Sequence, residues 1–206
     1  ISHHDLMRAF QRAVRRAKLP VRLTEGFNPR PRIVFPVALE VGIAALDEVA
    51  ELELTEWIQP NELLERLETN LPPGLHLRTV RELPPTRRSR MPVRLRYRVH
   101  LSEANIRLEE AQVAALRAAP TLPFLKRKPG KAAQARDLKA SLVHAALDAG
   151  DLVVDVRPSP QGLARPLEFL SLLLEMPLDR LRHIRVTRER MELAESLPPN
   201  HPPSKP

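Results

Sequence analysis

Arg8, Arg12 and Arg15 lie four and three positions apart, and no Asp or Glu falls between Leu6 and Lys18. On a helix this spacing aims three guanidinium groups the same way. A planar, permanently charged fork suits phosphate, so the segment offers a ridge for a polyanion. A second cluster, Asn28-Pro29-Arg30-Pro31-Arg32, holds Arg30 and Arg32 on a chain stiffened by proline, which lowers the entropy lost on binding. The densest cluster is Arg81, Arg87, Arg88, Arg90, Arg94, Arg96 and Arg98, opposed by the single acid Glu82. Alternation puts Arg94, Arg96 and Arg98 on one sheet face, where like charges repel. A counter-anion is therefore expected, either a nucleic acid or an acidic protein. Lys126, Arg127 and Lys128, with Lys131, form a short basic run. Arg165 precedes Pro166 at an expected helix start, where backbone amides favour an anion and Arg165 is placed to clamp a phosphate.

Other chemistries are poorly supplied. There is no cysteine, which rules out disulfides, thiolate zinc sites, cysteine-held iron–sulfur clusters and a cysteine nucleophile within these residues. His3 and His4 are adjacent, so their side chains diverge and lack the i, i+4 spacing of a helical zinc pair. Neither a catalytic residue, a metal nor a cofactor is expected. The residue-level alternative is a nuclease using His3 or His4 as general acid or base.

The whole chain is basic, with 33 Lys and Arg against 25 Asp and Glu and a formal charge of +8, over 206 residues. Arginine excess points to nucleic acid. Aromatic residues make up only 3%, too few for extensive base stacking. Contacts to phosphates and 2′-hydroxyls of structured RNA are thus expected over single-strand reading. The acids Asp47, Glu48, Glu51, Glu53, Glu56, Glu62, Glu65 and Glu68 gather in one stretch, a polarity that orients a protein on an anion or recruits a basic partner. No apolar run reaches the roughly 20 residues of a membrane span, so no membrane partner is expected and the cytoplasm is the expected location.

Hydrophobic periodicity predicts the elements that carry these groups. Asp5–Lys18 reads as a helix with Leu6, Phe10, Ala13, Val14 and Ala17 on one face, capped by Ser2 with Asp5. Residues 33–39 and 49–54 read as strands, 60–71 as a helix and 75–80 as a strand. After a Pro-rich linker, 93–101 reads as a strand, 103–118 as a helix, 124–131 as a basic connection, 138–147 and 152–156 as strands, 166–174 as a helix and 183–187 as a strand. The expected fold class is α+β, two tandem ferredoxin-like βαββαβ units, the first missing its N-terminal strand. The expected domains are residues 1–83, a basic linker over 84–92, residues 93–193, and a disordered Pro-rich tail over 194–206.

Several segments together resemble a known family. Ser2-His3-His4-Asp5-Leu6-Met7-Arg8-Ala9-Phe10 is similar to its Ser-His-Leu-Asp-Leu-Met-Arg opening. Arg15-Arg16-Ala17-Lys18-Leu19-Pro20, Gly26-Phe27-Asn28-Pro29, Val41-Gly42 and Glu51-Leu52-Glu53-Leu54 follow in order. Gly162-Leu163-Ala164-Arg165-Pro166-Leu167-Glu168 resembles its Gly-Ser-Ala-Arg-Pro-Glu-Glu. The family is the radical-SAM-linked proteins, the DUF2344 domain, fused to or encoded near radical SAM proteins. The resemblance implies an accessory role with a radical SAM protein as partner. Arg30 stands where the family commonly has His, and His4 where it has Leu. The resulting expectation is a non-catalytic accessory that binds RNA or presents substrate to a radical SAM enzyme, with a protein-interaction adaptor as a further alternative.

Overall fold

The computed structural model describes residues 2–83, 90–128 and 130–194. Most of the expected linker, with Arg87 and Arg88, lies outside the described residues. So do residues 195–206 and the side chains of Arg127, Lys128 and Lys131. The protein is α+β, with five α-helices and a mixed five-stranded sheet among the described residues. No helix there is long and apolar enough to cross a membrane.

The chain divides into two units. One comprises residues up to Val41, Val49–Met91 and the chain from Ala194, and the other comprises Gly42–Glu48 and Pro92–Leu193. The segment 42–48 thus joins the second unit although its neighbours on both sides belong to the first.

In the first unit, α1 (His3–Arg16) starts at Ser2, whose Oγ accepts from the Asp5 amide at 3.2 Å while donating to the Asp5 carboxylate at 2.7 Å. Leu6, Ala9, Phe10, Ala13 and Val14 are its buried stripe. The arginines take the opposite side because the apolar stripe uses the period first. α2 (Pro60–Glu68) buries Leu63 and Leu67 and begins at a proline, where a missing amide costs nothing. Arg66 of α2 donates to the carbonyls of Ala17 and Lys18 at 2.8 and 3.1 Å, satisfying the end of α1. Phe10 and His3 both meet Phe35 edge-on, with ring centroids 5.4 and 5.6 Å apart.

Strands are sparse in this unit. β1 (Ile33–Val34) pairs antiparallel with β3 (Glu51–Leu52), and isolated bridges join Val21 to Leu54 and Leu23 to Pro31. The expected strand at 75–80 does not form. The Leu77 amide donates to Glu68 Oε2 at 2.7 Å, and His76 Nδ1 lies 3.0 Å from Glu68 Oε1. The carboxylate at the end of α2 thus takes a backbone donor that a ladder would have used.

In the second unit the sheet order is β2 (Ile43–Ala45), β9 (Val186–Leu193), β4 (Pro92–Val99), β8 (Asp151–Val156), β7 (Leu142–Asp148). β2 runs parallel to β9, and every other pairing is antiparallel. β4 alternates as expected, with Leu95, Tyr97 and Val99 buried and Arg94, Arg96 and Arg98 on the other face. α3 (Glu110–Ala118) and α4 (Pro166–Leu174) contribute Val113, Leu116, Phe169 and Leu170 to the core. β7 and β8 are joined by Ala149 and Gly150, both at positive φ (51° and 84°), the conformation of a two-residue hairpin turn matched to strand twist.

Several features depart from expectation: the strand Ile43–Ala45 was not expected, and the one expected from 138 starts at Leu142 after a 3-10 turn over Lys139–Ser141. The helix expected at 103–118 begins only at Glu110, since Asn105 sits at φ 54° and Ile106 donates back to the Leu101 carbonyl at 3.0 Å, closing a tight turn. The basic connection is an antiparallel hairpin, β5 (Pro123–Lys128) with β6 (Lys131–Asp137). A short helix, α5 (Leu178–Leu181), precedes the last strand, which runs to Leu193.

Candidate anion-binding surfaces

In the second unit the counter-anions expected for Arg94, Arg96 and Arg98 come from the sheet itself. Asp155 lies opposite Arg96 in the pairing of β4 with β8 and is fully buried. It accepts from Arg96 Nε at 2.8 Å and Nη2 at 3.0 Å, and from Arg94 Nε at 3.1 Å. Burial pushes the Asp155 carboxyl up, but the bonds from Arg96 and Arg94 outweigh it and hold the group below its usual range. Arg98 donates to Glu189 at 2.5 Å and to Asp148 at 2.7 Å. Arg94, Arg96, Arg190 and Glu192 line a shallow polar cavity of about 80 Å³.

The same face ends in a second cluster. Thr187 Oγ1 lies 2.9 Å from His100 Nε2, and His100 Nδ1 lies 3.3 Å from Asp151 Oδ2. The order hydroxyl, imidazole, carboxylate is that of a hydrolase relay. The last separation is long for one, Asp151 already accepts from the Ser102 hydroxyl at 2.9 Å and its amide at 3.3 Å, and Thr187 is buried. The cluster ties β4, β8 and β9 together at one end.

Two further ion pairs are buried in this unit. Arg188 is 1% exposed and donates through Nε to Glu48 Oε1 at 2.6 Å. Burial pushes the Glu48 carboxyl up against the opposing charge of Arg188, and its Oε2 has no hydrogen-bond partner. At α4, Glu168 is buried and accepts from the Arg165 amide at 3.0 Å, with Arg136 Nη1 at 3.4 Å. The helix terminus expected to receive an outside anion therefore holds the carboxylate of Glu168. Arg165 is exposed beside it, and Lys126 is half-buried on β5.

In the first unit, Arg8, Arg12 and Arg15 are exposed on α1 and make no ion pair with any described residue. Arg32 does have a partner, Glu53 at 2.9 Å, which it shares with Arg22. Arg30 is exposed, and its amide donates to Thr24 Oγ1 at 3.1 Å. His3 is half-buried against Phe35, and His4 is exposed. Among the described residues no group of three or more His, Cys, Asp or Glu is placed to hold a metal ion.

Sequence reasoning missed the acids that answer the sheet arginines, although Asp151 and Asp155 carry the same two-residue alternation. It also missed Phe27, whose side chain is wholly exposed.

The profile of DUF2344, described as an uncharacterized protein conserved in bacteria, matches residues 1–166. The chain belongs to this family. The DUF2344 match includes both the α1 arginines and the loop that carries Arg30. Neither a curated protein nor a solved structure matches the chain significantly.

Proposed function

We propose that this DUF2344 protein is a non-catalytic accessory that binds structured RNA and presents it to a radical SAM enzyme in the cytoplasm. The observation that carries the reading is the stripe of Arg8, Arg12 and Arg15, exposed on one helix without an ion pair to any described residue. A helix face built for stability mixes signs along its length, whereas here Asp5, bonded to Ser2 in the first turn, is the one acid of α1 and none follows it. The sheet arginines carry less of the argument, because their charges are met by Asp155, Asp148 and Glu189. The radical SAM partner rests on the family resemblance. For the fold, we infer a ferredoxin-like βαββαβ unit from β4, α3, β7, β8, α4 and β9, supported by the antiparallel order β9-β4-β8-β7. A second such unit before it rests on element order alone.

The nuclease alternative loses support from His3, whose ring is taken up in packing on Phe35. The adaptor reading is favoured by Trp57, an exposed large aromatic in the first unit.

The test is a salt titration of a structured RNA hairpin against the native protein and a triple variant, Arg8→Gln, Arg12→Gln and Arg15→Gln. The logarithm of the binding constant should fall with log salt at about −0.7 to −0.9 per phosphate contact. The triple variant should flatten the slope by about two. Weak, salt-independent binding by the native protein would remove the RNA reading and leave the adaptor ahead.

A further inference from the structure

Phe27 has a relative exposure of 105%, the highest of any large apolar side chain among those described. Its loop is closed at the base. The Thr24 amide donates to the Arg30 carbonyl at 2.8 Å, the Arg30 amide returns to Thr24 Oγ1 at 3.1 Å, and the Arg32 amide donates to the Arg22 carbonyl at 2.8 Å. Leu23 and Pro31 bridge across the neck. Gly26 turns the tip at φ 111°, a conformation that side chains avoid. Pro29 and Pro31 restrict the returning arm. The loop is thus held at its base, and it projects a ring that contributes no buried area to the unit.

Apart from Trp57, which is also exposed, the aromatic set is used differently. Phe10 and Phe35 pack on one another, and Tyr97 and Phe169 are buried. Phe27 is spared from the core and stands three residues from Arg30, an exposed guanidinium with no ion pair among the described residues. An exposed ring and, three residues on in the same loop, a cation with no ion pair to a described residue match the two parts of a nucleotide, a flat base and a phosphate. An apolar protein pocket would use the ring but give Arg30 no partner.

We propose that Phe27 is a stacking platform for one unpaired base of the bound RNA, and that Arg30 contacts the phosphate next to that base. This deepens the RNA reading above and rests on it. It places the specificity of the first unit for loops or bulges in the Thr24–Arg30 hairpin, while the α1 arginines supply contacts that ignore sequence.

The experiment uses the full chain and two RNAs, a hairpin with 2-aminopurine in its loop and a blunt duplex of the same stem. Stacking on Phe27 should quench the 2-aminopurine fluorescence. Phe27→Ala should abolish the quench and weaken hairpin binding about 5- to 100-fold, leave duplex binding unchanged, and leave the melting temperature unchanged because the ring buries nothing. Phe27→Trp should restore both quench and affinity. If Phe27→Ala keeps the native quench and hairpin affinity while the triple α1 variant loses binding, the stacking proposal fails and the RNA reading stands. If the native protein binds neither RNA, both fail. A photo-crosslinking residue at position 27 that joins only protein, with RNA added in excess, also overturns the proposal, in favour of an apolar pocket on a partner.

Discussion

Arg96 faces Asp155 across the β4–β8 pairing, and the two are joined by hydrogen bonds of 2.8 and 3.0 Å. With Arg94 on the same carboxylate, a run of like charges becomes part of the sheet's own wiring. A buried acid that holds two cations lowers the charge that this face shows to solvent. The pairing therefore bears on both stability and binding, and the two can be measured apart.

Asp155→Asn should destabilise the protein by about 2–4 kcal/mol in urea denaturation. Arg94 and Arg96 keep partial access to water, which limits the cost. The same variant should bind RNA or heparin more tightly and with a steeper salt slope than the native protein, since two guanidinium groups are released. Unchanged stability together with unchanged polyanion binding would show that Asp155 does not hold them.

Acid should act through the same group. Burial raises the Asp155 carboxyl, and the bonds from Arg96 and Arg94 lower it by more, leaving it below its ordinary value of 3.8. A carboxyl depressed in the folded state contributes stability at pH above its unfolded value, and the contribution is lost as pH falls through the folded value. Asp151 is depressed as well, burial being outweighed by the bonds from Ser102 and the nearby His100 and Arg98. Denaturation midpoints should hold steady above about pH 5 and drop below about pH 4. In Asp155→Asn the drop should be shallower, because one of the titrating groups is gone.

Glu48→Ala should cost about 3–5 kcal/mol, because it strands Arg188 as a buried charge. Replacing both, with Glu48→Leu and Arg188→Met, should recover most of the loss, since an apolar pair of similar volume avoids the desolvation of two ions. A double-mutant cycle read by chemical denaturation checks this. Additive losses would mean that the two side chains act independently.

The loop arginines should behave differently from one another. Arg30→Ala should leave stability within about 0.5 kcal/mol, as only the backbone of Arg30 is bonded within the loop. Arg32→Ala should lose the coupling to Glu53, which solvent screening keeps small for an exposed pair. Against RNA the order reverses, with Arg30→Ala the weaker binder. A cycle of each variant with Glu53→Gln gives the coupling directly.

Local pattern made several of these elements legible in the sequence. The stripe of Leu6, Phe10 and Val14 marks α1, Pro166 marks the start of α4, and the alternation through Leu95, Tyr97 and Val99 marks β4. Pairings over long separations were not legible. Nothing local tells Arg96 that Asp155 lies opposite it, or that three short residues, Ile43–Ala45, will find β9. The strand expected at 75–80 was lost to Glu68, a side chain whose reach is invisible to periodicity. For the candidate sites, the α1 arginines were legible because an absent acid can be read directly. The exposure of Phe27 was not, because an aromatic residue in a short loop reads equally well as core.

The pair of Glu48 with Arg188 carries a consequence for the order of synthesis. Its members are separated by 140 positions, so at roughly 5–20 residues per second the earlier one waits roughly 7–28 s for its partner to be made. Throughout that interval Ile43–Ala45 has no strand to join, although residues on either side of it belong to a unit whose chain through Met91 is completed much earlier. Asp47 and Glu48 keep this waiting segment charged at one end, which discourages it from pairing with the wrong edge. The parallel edge of the sheet thus cannot close until β9 is made, and a ribosome stalled before Val186 would hold a chain whose first unit is synthesised only as far as Met91 while the sheet still lacks its border.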